Sequence, residues 1–155
     1  MGEKRGEDRR ADDRRTVNRR EGVQADSLGE YMASPVLSIE ADAKIEEAAK
    51  LMKQKLIGSL LVKESGEYVG VITESDVTRK VVAMGLDPKT TPVFAVKVEK
   101  IITMEHSQSV LDANELMKEN TIRHLPVTRD GKIEGMFSVK DLVGFYFKKV
   151  RKKSI

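Results

Sequence analysis

Gly70-Val71-Ile72-Thr73-Glu74-Ser75-Asp76 and Gly135-Met136-Phe137-Ser138-Val139-Lys140-Asp141 share one pattern: Gly, two apolar residues, a small hydroxyl residue, two variable positions, then Asp. They stand 65 positions apart, and that offset holds without a gap from residues 31–77 to residues 96–142. Over those 47 positions 11 pairs are identical, among them Glu40/Glu105, Leu51/Leu116, Met52/Met117, Leu60/Leu125 and Asp76/Asp141. Many other pairs exchange one apolar residue for another, as in Val36/Ile101, Ile45/Val110 and Val77/Leu142. Self-similarity at a fixed period is one structural unit used again. Two copies are too few for a solenoid, so the pattern predicts one domain closed by pseudo-twofold pairing.

Around the motif the element order can be read from spacing. Pro35 leads into a short apolar strand over 36–39. Ile45, Ala48, Ala49, Leu51 and Met52 then recur at helical spacing, with Asp42 as the expected N-cap and Glu46 and Glu47 suited to the first turn. A buried strand over 58–62, a Ser65-Gly66 hairpin turn and a strand over 68–72 follow. A helix over 75–84 ends at Gly85, and Pro88 and Pro92 mark a linker. The second copy predicts a strand over 101–104, a helix over 110–120, a strand over 125–128, a turn at Asp130-Gly131, a strand over 133–137 and a helix over 140–147. Each unit is thus β-α-β-β-α, and the fold class is mixed α/β (α+β). The expected divisions are a charged arm over 1–27, a first repeat over 28–87, a linker over 88–95, a second repeat over 96–147 and a basic tail over 148–155.

Composition narrows the function classes. The chain has 155 residues and no cysteine, which excludes disulfides, a thiol nucleophile and a thiolate metal site. Two histidines, His106 and His124, are too few for a His-based metal site. No apolar run approaches the ~20 residues of a membrane span, and the N-terminus lacks a signal-peptide core, so a cytoplasmic protein is expected. The net charge of +3 is set by Lys148, Lys149, Arg151, Lys152 and Lys153; without them the chain is slightly acidic and shows no general basic face. Residues 1–30 hold eight Lys or Arg and eight Asp or Glu, with Arg pairs at 9–10, 14–15 and 19–20. That composition fits a solvated, disordered arm. It also fits an Arg-rich arm that grips phosphates, or one that swaps onto a partner subunit.

The motif itself suggests chemistry. A strand that ends in Thr73 or Ser138 and turns into a helix leaves backbone N–H groups free at the helix start, an inherent anion site. The Asp three residues on can accept from two vicinal hydroxyls, as acidic residues do with ribose in dinucleotide folds. The same residues satisfy a purely structural role, with Thr73 and Ser138 as N-caps and each Asp favouring its helix dipole. Arg123 and His124 stand just before a core strand, where the first copy has Gly58-Ser59. An unpaired buried cation is costly, so Arg123 calls for a bound phosphate, or for Asp141 or Glu119 as a partner. His124 titrates near neutrality and can donate to a phosphate.

Ala48-Ala49-Lys50-Leu51-Met52, Leu60-Leu61-Val62 and 70–76, with Leu116-Met117, Arg123-His124-Leu125-Pro126-Val127 and 135–141, carry a family resemblance at this point. The unit resembles a CBS domain, and the pair resembles the tandem CBS (Bateman) module over residues 28–147. The resemblance implies that an adenosine nucleotide such as AMP, ADP or ATP, or a related compound such as S-adenosylmethionine, binds between the repeats as a regulatory ligand, with no cofactor required. It places Ser138 and Asp141 on ribose, Arg123 and His124 on phosphate, and the adenine against Pro35, Val36 and Ile57. The mirror cleft would use Thr73 and Asp76, but Gly58-Ser59 bring no cation to it, so it is expected to be empty or to hold an uncharged adenosine. The resemblance also implies a homodimer formed through helices, for which Val77, Val81, Val82 and Met84 and Leu142, Val143, Phe145 and Phe147 would serve.

Function then divides four ways. A ligand-sensing regulatory module that signals to a partner protein is the leading reading. An enzyme is disfavoured, since there is no Cys, no Ser-His-acid order and no carboxylate cluster beyond ordinary helix faces. A nucleic-acid binder would use the Arg-rich arm and the Lys-rich tail on a passive scaffold. A ligand-free dimerisation scaffold completes the set.

Overall fold

The computed structural model describes residues 26–97 and 99–153. The first repeat runs β1 (Ser38–Glu40), α1 (Ile45–Lys55), β2 (Ser59–Glu64) and β3 (Glu67–Thr73). It closes with α2, which opens at Glu74–Asp76 and continues as a π-helical stretch over Val77–Val82. The second repeat runs β4 (Met104–Glu105), α3 (Val110–Glu119), β5 (His124–Arg129), β6 (Lys132–Ser138) and α4 (Val139–Lys152). Each repeat folds into a three-stranded sheet, β1-β2-β3 or β4-β5-β6, with the first pair parallel and the second antiparallel. The mixed α+β architecture and the repeated unit are those expected from the 65-residue offset.

The cores follow the same periodicities. One face of α1 (Ile45, Ala48, Met52) packs with Leu60, Val62, Ile72 and Val81. In the second repeat Val110, Ala113 and Met117 of α3 pack with Leu125, Val127, Phe137, Leu142 and Phe145. Both hairpins use two left-handed residues, Ser65-Gly66 (φ 51 and 84) and Asp130-Gly131 (φ 51 and 77), the primed turn that suits twisted strands. The motif glycine of the second repeat is required by packing: a Cβ on Gly135 would lie 2.8 Å from Met32 Cγ and 3.0 Å from the Ala33 carbonyl.

Several expectations are corrected. Asp42 is exposed and does not cap α1; Lys44 is the N-cap, and its N–H donates to the Glu47 carboxylate at 2.7 Å. The expected strand over 101–104 shrinks to Met104–Glu105. The first-repeat strand expected over 36–39 also starts late, at Ser38, which matches Thr103. The one further residue is lost at Pro126, since at the equivalent place in the first repeat the Leu61 N–H donates to the Leu37 carbonyl at 3.1 Å, and proline has no N–H to give. The basic tail is not a separate segment up to Lys152, since α4 continues through Lys148, Lys149, Arg151 and Lys152, where cations suit the helix C-terminus. The arginine pairs of the arm lie outside the described residues.

The segments that lead into the repeats are exchanged between them. A 3-10 turn at Leu28–Glu30 precedes the first repeat, yet Leu28 is buried in the second core. Its N–H donates to the Gln108 carbonyl and that of Gly29 to the His106 carbonyl, both at 2.9 Å. The 3-10 turn Val93–Ala95 precedes the second repeat, yet Val93 and Val96 lie in the first core, with Val93 and Phe94 donating to the Ala43 and Ala41 carbonyls. Lys149 also pairs with Asp26, whose Oδ1 accepts from the Tyr31 hydroxyl at 3.2 Å.

Candidate ligand cleft

Thr73 and Ser138 sit at equivalent strand-to-helix junctions. The Thr73 N–H and hydroxyl donate to Asp76 Oδ2 at 2.9 and 2.8 Å, and the Asp76 N–H returns to Thr73 Oγ1 at 3.3 Å. The Ser138 N–H and hydroxyl donate to Asp141 Oδ2 at 2.8 and 2.7 Å. The capping role is therefore realised in both repeats, and it fixes the direction of each carboxylate. The second oxygens differ. Asp76 is buried, and its Oδ1 accepts from Lys80 Nζ at 2.8 Å. Asp141 is half-buried, and its Oδ1 has no partner among the described residues.

Two clefts flank the line between the repeats. The larger, about 540 Å³, is lined by Pro35, Val36 and Ile57 of the first repeat and by Arg123, His124, Ser138 and Asp141 of the second. The seven residues singled out from the sequence thus line one cavity. The smaller, about 300 Å³, holds Thr73 and Asp76 together with Arg79, Lys100, Arg123 and His124. Its expected lack of a cation is incorrect. Each cleft joins the motif of one repeat to the residues before the central strand of the other. Arg123 and His124 therefore share a cavity with Asp76, and Lys100, at the position matching Pro35, adds a further charge.

Arg123 and His124 line both clefts, as do Gly58 and Glu74. Arg123 has no ion-pair partner among the described residues, neither Asp141 nor Glu119. Its carbonyl accepts from the Val139 N–H at 3.1 Å, as the Gly58 carbonyl does from Glu74 at 3.0 Å. A Cβ on Gly58 would stand 3.1 Å from both Glu74 Oε1 and His124 Nε2, so glycine there lets the acid and the imidazole approach across the cavity. Burial pushes the His124 pKa below its ordinary value; the Glu74 and Asp141 carboxylates oppose that shift and Arg123 reinforces it. Glu74, Lys80 and Lys100 escaped the sequence reading. Their counterparts are Val139, Phe145 and Pro35, so the repeat gave no signal for charge at those positions.

A family model described as the CBS domain matches residues 28–83 and again 93–148. The chain belongs to the CBS-domain family. It is a tandem CBS pair, and its relatives include the mitochondrial CBS domain-containing protein CBSX3 of Arabidopsis thaliana. That protein is 39% identical over 134 residues, which cover 79% of this chain and 65% of CBSX3, just under two thirds of its length. Among solved CBS structures, the hexameric CBS-CP12 protein from bloom-forming cyanobacteria is 30% identical with a TM-score of 0.72, covering 78% of this chain and 68% of that one. The CBS pair of protein MJ0100, solved with 5-methylthioadenosine and S-adenosyl-L-methionine, shares the fold at 21% identity with a TM-score of 0.73, covering 81% of this chain and 98% of that one. No helix among the described residues is long and apolar enough to cross a membrane.

Proposed function

We propose that this CBS pair is a regulatory module that binds an adenosine nucleotide, or a related adenosyl compound, in the larger cleft and signals to a partner protein through a shift in how the repeats pack. One observation carries the reading: the Asp141 carboxylate is fixed by Ser138 through one oxygen, the other has no partner among the described residues, and the same cavity holds Arg123, which has no ion-pair partner among them. A carboxylate oxygen can accept from ribose hydroxyls, and a guanidinium fork suits phosphate. Pro35, Val36 and Ile57 supply the apolar wall that an adenine ring needs. The adenosyl ligands of the MJ0100 pair support this ligand class.

Pairing of two copies and a cytoplasmic location belong to the same proposal. Val82, Met84, Val143 and Phe147 are at least half exposed and offer an apolar face for a second chain, whereas Val81, Leu142 and Phe145 are spent on the cores. For location, the mitochondrial relative makes fractionation the deciding measurement.

A ligand that binds only the folded state raises the melting temperature. AMP is expected to do so, and Asp141→Ala to abolish the gain. An equal gain in that variant would remove Asp141 from the site. A gain that vanished with rising salt in both proteins would point to phosphate-backbone binding by basic segments instead.

A further inference from the structure

We infer that the smaller cleft is an anion site for a short phosphate chain, separate from the adenosyl site proposed above and independent of it. The two clefts are built from matching positions of the two repeats, yet their charges differ. In the larger one Arg123 and Lys140 are matched by Glu74 and Asp141. In the smaller one Arg79, Lys100 and Arg123 stand with Glu74 and Asp76. Asp76 is already balanced by Lys80, which lies 2.8 Å from its Oδ1 and does not itself line the cleft. Three cations therefore face one uncompensated acid. The excess comes from Arg79 and Lys100, whose counterparts in the other repeat are Gly144 and Pro35.

A single exposed Arg or Lys is ordinary surface. These three reach one cavity from separate segments: Arg79 from the π-helical stretch of α2, Lys100 from the stretch before β4, and Arg123 from the residue before β5. None has an ion-pair partner among the described residues. Like charges gathered in a cleft repel one another, and the same cleft focuses their attraction for an anion. Guanidinium forks and an ammonium suit phosphate oxygens, and the Ser75 and Thr121 hydroxyls add neutral donors. A cavity of about 300 Å³ stands at the lower end of ligand sites, which suits a di- or triphosphate better than a whole nucleotide.

The test is calorimetric titration of the full chain with tripolyphosphate at low salt. The wild type is expected to bind it, and Arg79→Gln combined with Lys100→Gln to weaken binding about 10-fold, as the loss of charge-assisted hydrogen bonds does. Arg79→Lys with Lys100→Arg should restore it. Both side chains are exposed, and the AMP-induced melting shift of each variant, expected to match that of the wild type, reports that the fold is intact. Asp141→Ala should leave tripolyphosphate binding in place whether or not it abolishes the AMP gain, so the two sites fail or stand separately. No binding by the wild type overturns the inference. So does unchanged affinity in the double glutamine variant, which would put the anion on other basic segments, and so does a loss caused by Asp141→Ala. ATP tells the source of the chain: an affinity that depends on Arg79 and Lys100 means that a nucleotide's tail is accepted, and one that does not means a free chain, and either result upholds the anion site.

Discussion

His124 shows how one side chain can tie stability and binding to pH. In the folded chain burial holds it neutral at pH values where the unfolded chain, with the ordinary value of 6.5, is gaining a proton. Between the folded value and 6.5 the unfolded state binds more protons, so stability rises with pH across that window and falls on acidification. Melting temperature should therefore drop as pH falls through 6.5, and less steeply in His124→Gln. A phosphate at Arg123 would favour protonated His124, so AMP should bind more tightly at lower pH while adenosine should not. A rise of one pKa unit on binding corresponds to about 10-fold in affinity. Titrations at two pH values decide it: AMP affinity indifferent to pH would take His124 away from the phosphate. At this scale Ser138 and Asp141 stood out by agreement with Thr73 and Asp76, and Arg123 by its contrast with Gly58. The sequence was silent where a charge in one copy faces an apolar residue in the other, because Lys80 beside Phe145 looks like ordinary drift.

Elements were legible through periodicity, and their ends were not. Apolar spacing located α1 to α4 and β1 to β6, but Lys148 to Lys152 read as tail because a charged run carries no core-facing stripe. β4 is one residue shorter than β1 because of a missing N–H in a neighbouring strand, at Pro126, which no local pattern reveals. The second-repeat motif glycine is likewise explained by a contact remote in sequence. Adding a methyl group at Gly135 drives it into Met32 and the Ala33 carbonyl; Ala33 pairs with β6 through Met136, its N–H donating at 2.8 Å and its carbonyl accepting at 2.9 Å. Gly135→Ala should cost about 1–3 kcal/mol, the usual penalty of overpacking, read by denaturant unfolding. An unchanged midpoint would mean that the leading segment yields freely.

For the whole molecule, the sequence disclosed two repeats facing each other but not which segments each borrows. The borrowed residues, Leu28 at the edge of the arm and Val93 and Val96 at the linker, have no periodic spacing to mark their destination. The outer surface carries a separate prediction. If Val143 and Phe147 meet a second copy, Val143→Asp with Phe147→Asp should yield a monomer by sedimentation while the AMP-induced melting shift persists, since neither residue lines a cleft. A double variant that sediments as the wild type does would place the contact elsewhere.

The crossing of the leading segments restricts how any message can leave the molecule. Each half is corked by a residue belonging to the other's lead-in, Leu28 one way and Val93 the other, so prying the halves apart would uncork both interiors together. Large hinge opening in answer to an occupant would therefore cost both cores at once, and small rocking of two clasped shells is the response expected. For the same reason a nick in the exposed 86–89 loop should leave two fragments that hold on to each other, neither able to stand alone.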